Sequence, residues 1–267
     1  MDLLRSAALA TLVYEAESTS TNDDLLRLAD DAAEFTVVAT LSQTAGRGRL
    51  GRVWVAPPGQ TLAASLLLKP RLRAGEPLAV EAFGWLPLLA GLAMTRSVGA
   101  LLPHANVTLK WPNDVLIDGK KVAGLLAELL PSLAGVVIGS GVNLAIPASE
   151  LPTPVSTSMG LHDHDGSLPE GEDLADQVLA AYLQAVRVLY DDYLRFGGDA
   201  EASGLLADVS EKCSSLGQQV RVELPGGVAL FGVAIALDQS GRLLVKRSAD
   251  GAVQAVAAGD VTHLRYE

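Results

Sequence analysis

Apolar and polar positions along the chain switch repeatedly between helical and strand periods, and the switches mark its elements. Leu25, Leu26, Leu28 and Ala29 recur at helical spacing. Just before them, Ser20-Thr21-Asn22-Asp23-Asp24 supplies hydroxyl caps and acidic residues for a first turn. The β-branched run Phe35 to Leu41 predicts a strand, and Thr61 to Lys69 predicts a buried one. Leu78 to Val98 is mostly apolar and predicts a core helix with Pro87 as the site of a kink. Val107–Lys110, Val115–Ile117, Lys121–Leu130 and Gly135–Val142 read as strands, with a hairpin turn at Asp118-Gly119. Strands linked by hairpins, with few helices between them, predict an α+β fold with a mainly antiparallel sheet flanked by helices.

Pro147 to Asp173 is an irregular connection rich in Pro, Ser, Thr, Gly and acidic residues. Leu174 to Phe196 is then an amphipathic helix ended by Gly197-Gly198, and its tyrosines read as core. After a second short helix the texture changes again. Short strands alternate with turns at Pro225-Gly226-Gly227, Asp238 to Gly241 and Asp250-Gly251, which predicts a small β-barrel. The boundary falls near Cys213 to Gly217, giving domains at 1–214 and 215–267.

Composition narrows the function classes. The 267 residues are 49% hydrophobic and carry a net charge of −11, so the chain is a folded protein without the basic surface that general nucleic-acid binding needs. The single Cys213 excludes an intramolecular disulfide, fits a reducing compartment and reads as a packing residue. The first seventeen residues read as a docked helix or strand in preference to a signal peptide. Ala82 to Thr95 is too short to span a bilayer. A cytoplasmic protein is expected.

Against this acidic background, Gln43 to Trp54 reads QTAGRGRLGRVW, with three glycines and three arginines between Gly46 and Arg52. Glycine lets backbone approach a ligand closely, and arginine offers fixed charge and forked donors to carboxylate or phosphate. Taken alone, the loop is also compatible with a solvated surface segment, and Ser20-Thr21-Asn22 with a simple helix cap. Lys110 to Leu125, KWPNDVLIDGKKVAGL, taken alone could be packing, a turn and strand-edge charge.

Together, STN, QTAGRGRLGR, KWPNDVLIDGKKVAG, the later GSGVNL and the closing GDVTHLR resemble biotin protein ligases in order and spacing. The resemblance runs over nearly all of the chain. It implies a catalytic domain like that of class II aminoacyl-tRNA synthetases followed by an SH3-like barrel. It implies ATP, Mg²⁺ and biotin as reactants and a biotin carboxyl carrier protein of an acyl-CoA carboxylase as partner. It places Ser20, Thr21, Asn22, Gln43, Gly46, Arg47, Gly48, Arg49, Lys121 and Gly124 at biotin. Arg49, Arg52, Trp54, Lys110, Asn113 and Asn143 fall at the nucleotide. Lys121, Arg49, Arg52 and Lys110 become the catalytic cations, and Asp114 a metal ligand or a group that orients Lys110. Some members of the family carry an N-terminal DNA-binding domain. With STN only twenty residues in, the expectation here is no DNA binding and a monomer or weak homodimer. A lipoate ligase is the alternative within the fold, and a catalytically silent binding protein the alternative outside it. His162 and His164 read as a solvated loop and not a metal site. Pro225-Gly226-Gly227 reads as a hairpin turn and not a phosphate loop.

Overall fold

The strand at Thr61–Leu68 is buried at every position, and the architecture is built around it. In the computed structural model, which describes residues 3–54, 57–224, 228–257 and 260–263, the chain opens with α1 (Leu4–Ala7), β1 (Thr11–Tyr14), α2 (Thr21–Leu28) and β2 (Thr36–Thr40). A two-strand ribbon, β3 (Gly46–Arg47) and β4 (Val53–Trp54), precedes the buried strand, β5, and then α3 (Leu86–Leu101). Next come β6 (Val107–Lys110), β7 (Asp114–Ile117), β8 (Lys120–Leu129) and β9 (Val136–Asn143). Helices α4 (Gly171–Arg195) and α5 (Leu205–Lys212) lead into β10 (Gln219–Glu223), β11 (Ala229–Leu237), β12 (Leu243–Arg247), β13 (Val253–Val256) and β14 (Asp260–His263).

Seven strands form one sheet in the order β1-β2-β5-β9-β8-β7-β6. Only the β1–β2 pair is parallel, so the sheet is mainly antiparallel, as hairpin-linked strands dictate. Its central strands lack polar alternation because both faces are covered. Val37, Ala39, Leu66 and Leu68 join the large core under α3 and α4, whereas Val38, Leu67 and Val137 face Leu25 and Ala29 of α2. Tyr182, Tyr190 and Tyr193 of α4 are buried, as the amphipathic pattern predicts. Burial pushes the Tyr182 hydroxyl above its ordinary pKa. Burial and then the neighbouring Glu34 do the same for Tyr190, whose hydroxyl donates to that carboxylate at 2.6 Å.

The expected helix from Leu78 to Val98 is corrected at its start. Val80–Trp85 is a 3₁₀ segment, and Pro87 lies in the first turn of α3 and does not kink it. Proline is suited to that position because its absent N–H has no partner in a first turn. The chain's beginning is docked, as expected. The Asp176 carboxylate of α4 accepts from Ser6 Oγ at 2.7 Å and from the backbone N–H groups of Ser6 and Arg5 at 2.9 and 3.0 Å.

The five C-terminal strands form an antiparallel sheet in the order β13-β12-β11-β10-β14, an all-β unit of the SH3-like type. Val220, Val222, Leu230, Leu243, Val245 and Val261 bury its inner face in continuity with the main core. Two indoles fasten it to the rest of the chain. Trp85 Nε1 donates to Gln239 O at 2.7 Å and Trp111 Nε1 to Gly241 O at 3.0 Å, both in the β11–β12 turn. The expected turn at Pro225-Gly226-Gly227 lies outside the described residues.

Candidate active site

A cavity of about 680 Å³ opens over the β9-β8-β7-β6 half of the large sheet. Its size suits a small organic ligand, for which pockets of roughly 300–1,000 Å³ are usual. The start of α2, the ribbon, the β6–β8 hairpin, β9, the 152–156 segment and Val261, Thr262 and His263 of β14 all line it. Segments distant in sequence therefore meet there, and all three stretches singled out from the sequence are among them.

The floor near α2 is a hydrogen-bonded network. Ser20 caps α2, its hydroxyl accepting from the Asp23 N–H. Thr21 donates its N–H to Gln43 Oε1 at 2.9 Å and its hydroxyl to the same oxygen at 3.2 Å. Ser65 Oγ lies 2.6 Å from Asn22 Oδ1 and 2.8 Å from Thr21 Oγ1, its single proton serving one of them. At its other end Asn22 Nδ2 donates to Leu126 O at 3.3 Å and to Glu128 Oε2 at 2.6 Å. Glycines of GSGVNL make room for these groups. A side chain at Gly139 would collide with the Asn22 amide, and a Cβ at Gly141 would come within 2.5 Å of the Trp54 ring.

The cations are arranged in two ways. Arg47, on the exposed edge of the ribbon, pairs with Asp23 and, at 3.1 Å, with Glu128. Arg49 donates to Asn113 Oδ1 at 3.1 Å, and Asn113 Nδ2 is held by Leu125 O at 2.7 Å. The Lys121 ammonium is 2.6 Å from Asp114 Oδ1 and 5.7 Å from the Trp54 ring centre. Arg52 and Lys110 complete a cluster of positive groups on one cavity. Asn143 is buried and lines the cavity, its Nδ2 donating to Thr157 O at 2.8 Å. Lys121 grips the same wall, since its N–H donates to Val155 O at 2.8 Å and its carbonyl accepts from Thr157 N at 2.8 Å.

Several sequence expectations change in detail. The arginine segment forms a two-strand ribbon, pairing Gly46 with Trp54 and Arg47 with Val53 around a 3₁₀ turn at Arg49–Gly51. Gly46 does not line the cavity; it is packed under Gln43 and Trp54. Trp54 lies on the sheet face over Gly141 and Gly124, with its Nε1 buried and unpaired. Gly48 and Gly124 do line the cavity. Asp114 is committed to Lys121, and among the described residues no group of three His, Cys, Asp or Glu is placed to hold a metal. His162 is not solvated; it is docked against Thr157 Oγ1 at 2.8 Å and Asp118 at 3.3 Å. Burial lowers its pKa, against the opposing pull of Asp118. Ser65, Glu128, Thr153, Ser156 and His263 were not singled out from sequence. Ser65 and Glu128 carry as local signal only polarity within otherwise apolar strands, and Thr153 and Ser156 lie in the irregular connection, where polar residues are ordinary.

Fold and site define a small-molecule enzyme with a cation-lined pocket whose lining includes a glycine–arginine ribbon. Residues 12–143 match the Biotin/lipoate A/B protein ligase family, and residues 215–264 match the Biotin protein ligase C terminal domain. A biotin--[acetyl-CoA-carboxylase] ligase of Mycobacterium tuberculosis is 39% identical over 94% of this chain and 88% of its own length. One from Paracoccus denitrificans is 33% identical over 86% of this chain and 92% of its own. The biotin protein ligase of Aquifex aeolicus in complex with biotin and ATP superposes with a TM-score of 0.73 at 25% identity, covering 96% of this chain and 99% of that one. The chain belongs to the biotin protein ligases. Among the described residues no helix is long and apolar enough to cross a membrane.

Proposed function

We propose that the cavity joins biotin to ATP and passes the biotinyl group to a lysine of a biotin carboxyl carrier domain of an acyl-CoA carboxylase. The observation that carries this reading is the convergence of Arg49, Arg52, Lys110 and Lys121 on one pocket of a strongly acidic chain. Attack of a carboxylate on the α-phosphate of ATP brings two anions together, and fixed cations offset their repulsion and the charge of the transition state. The biotin carboxylate oxygen forms a bond to the α-phosphorus, the bond to the bridging oxygen breaks, and pyrophosphate leaves. A carrier lysine, as the free amine, then attacks the acyl carbon. An amide forms, AMP departs and the amine loses a proton to solvent.

In this reading Ser20, Thr21, Asn22, Gln43, Gly124 and Lys121 serve biotin, and Arg49, Arg52, Trp54, Asn113 and Asn143 serve the nucleotide. Asp114 holds Lys121 in place. Mg²⁺ enters with ATP as the chelated substrate. The ribbon over the pocket keeps water from the mixed anhydride between the two steps. The work divides between residues 1–214, which carry the chemistry, and 215–267, whose β14 contributes one wall. Net charge supports a partner other than DNA, and the single cysteine supports a cytoplasmic location.

The test is incubation with Mg-ATP and either biotin or lipoate, following acid-labile acyl-adenylate and label on a carrier domain. Biotinyl-adenylate and carrier labelling are expected. An adenylate with lipoate alone would replace the reading with its lipoate counterpart, and none with either acid would leave a binding protein.

A further inference from the structure

Glu128 sits on β8 outside the cavity lining, yet one of its oxygens touches two parts of the site. Oε2 accepts from Asn22 Nδ2 at 2.6 Å and from Arg47 Nη2 at 3.1 Å. We infer that Glu128 is a positioning residue, a single carboxylate that both latches the arginine ribbon and sets the orientation of the Asn22 amide. What the cavity holds rests on the ligase reading; the contacts themselves do not.

The two ends of an Asn amide have nearly the same shape and opposite hydrogen-bonding character. A carboxylate only accepts, so Glu128, at shorter range than the Leu126 carbonyl on the same nitrogen, selects the NH₂ end of Asn22 and leaves Oδ1 toward the Ser65 hydroxyl. The ribbon, for its part, is held by short pairing, by the Gly48 N–H donating to Arg52 O at 2.7 Å, and by side-chain anchors such as Arg49 on Asn113. Its strands pair at just two positions, Gly46 with Trp54 and Arg47 with Val53. Arg47 supplies an anchor beyond that pairing, bridging Asp23 on α2 and Glu128 on β8. Asn22 and Asp23 are neighbours on α2, so closing the ribbon and orienting the amide draw on the same few atoms. Arg47 is 44% and Glu128 26% exposed, which makes the latch partly screened and sensitive to salt.

Glu128→Gln separates the two roles, since Gln Oε1 can still accept from Asn22 while the charge that holds Arg47 is gone. The arginines of the ribbon make it a substrate for trypsin, so its opening can be read in the full-length protein without any ligand. Cleavage after Arg49 and Arg52 should be about three- to fivefold faster in Glu128→Gln at low salt, the scale of a partly exposed ion pair. The difference should collapse near ~0.5 M salt, where wild type itself loses the latch. Arg47→Ala should be cleaved faster too, and Arg47→Ala/Glu128→Gln no faster than Arg47→Ala, because the two side chains share one contact. In turnover, Glu128→Gln should release biotinyl-adenylate faster, and Glu128→Ala should raise the KM for biotin more than it lowers kcat. Wild-type cleavage rates in a Glu128→Gln protein of unchanged melting temperature, or additive effects in the double variant, would overturn the inference. Should the wild type form no biotinyl-adenylate, the ligase reading fails while the cleavage measurements still decide the role of Glu128.

Discussion

Lys121 shows how little of a residue's task its charge alone describes. Its ammonium is pinned by Asp114, lies against the Trp54 ring, and stands on a strand whose backbone also holds the 153–157 wall. Lys121→Met keeps much of the stem and removes the charge. Adenylate formation should fall by about 10²–10³, the scale for losing one electrostatic contact to a transition state, with the melting temperature nearly unchanged. Pyrophosphate release in a single turnover reads the effect directly. Gly141 is the converse case, a residue whose value is the absence of a side chain. Gly141→Ala would push its Cβ into the Trp54 indole, at an expected cost of about 1–3 kcal/mol of stability from overpacking, measurable by urea denaturation.

At the level of elements, what the sequence made legible was what periodicity encodes. Strands such as Thr61–Leu68 and the Asp118-Gly119 turn announce themselves by apolar runs and by residues that tolerate positive φ, and both are found where expected. The beginning of α3 departs from the expectation because a proline inside an apolar run has the same sequence signature whether it kinks a helix or starts one. The strand pairing within Gln43 to Trp54 is not legible in the sequence because two-residue strands have no period to detect. That α1 docks is expected from the sequence, but its partner on α4 is not, for the contact depends on one carboxylate meeting a helix some 170 residues away. Burial works against the Asp176 charge, but the hydrogen bonds from Ser6 and Arg5 outweigh it, so its pKa lies below the ordinary value. A depressed carboxylate stabilises the fold above its unfolded pKa near ~3.9, and that contribution is lost as pH falls through the folded value. Asp176→Asn should therefore cost about 2 kcal/mol near neutrality, and the gap from wild type should shrink below about pH 4. Chemical denaturation at several pH values would show it.

Across the whole molecule, the site motifs were readable as a set because their order and spacing are unusual, even though each is ambiguous alone. Which neighbours they acquire was not readable, since Glu128, Ser65 and His263 reach the site only through tertiary packing. The bond from Trp111 to Gly241 illustrates this. The indole sits in the KWPND stretch, and its partner is a carbonyl of the C-terminal sheet. Trp111→Phe leaves that carbonyl without its donor, at an expected cost of about 1–3 kcal/mol. It should also speed amide exchange across residues 238–242 more than in the seven-stranded sheet, as hydrogen-exchange mass spectrometry can resolve. A further consequence follows from the placement of Val261, Thr262 and His263 on the cavity. A ribosome delivers the cations of the pocket early and this wall late. A nascent or prematurely released chain would carry the charged residues but not the finished enclosure.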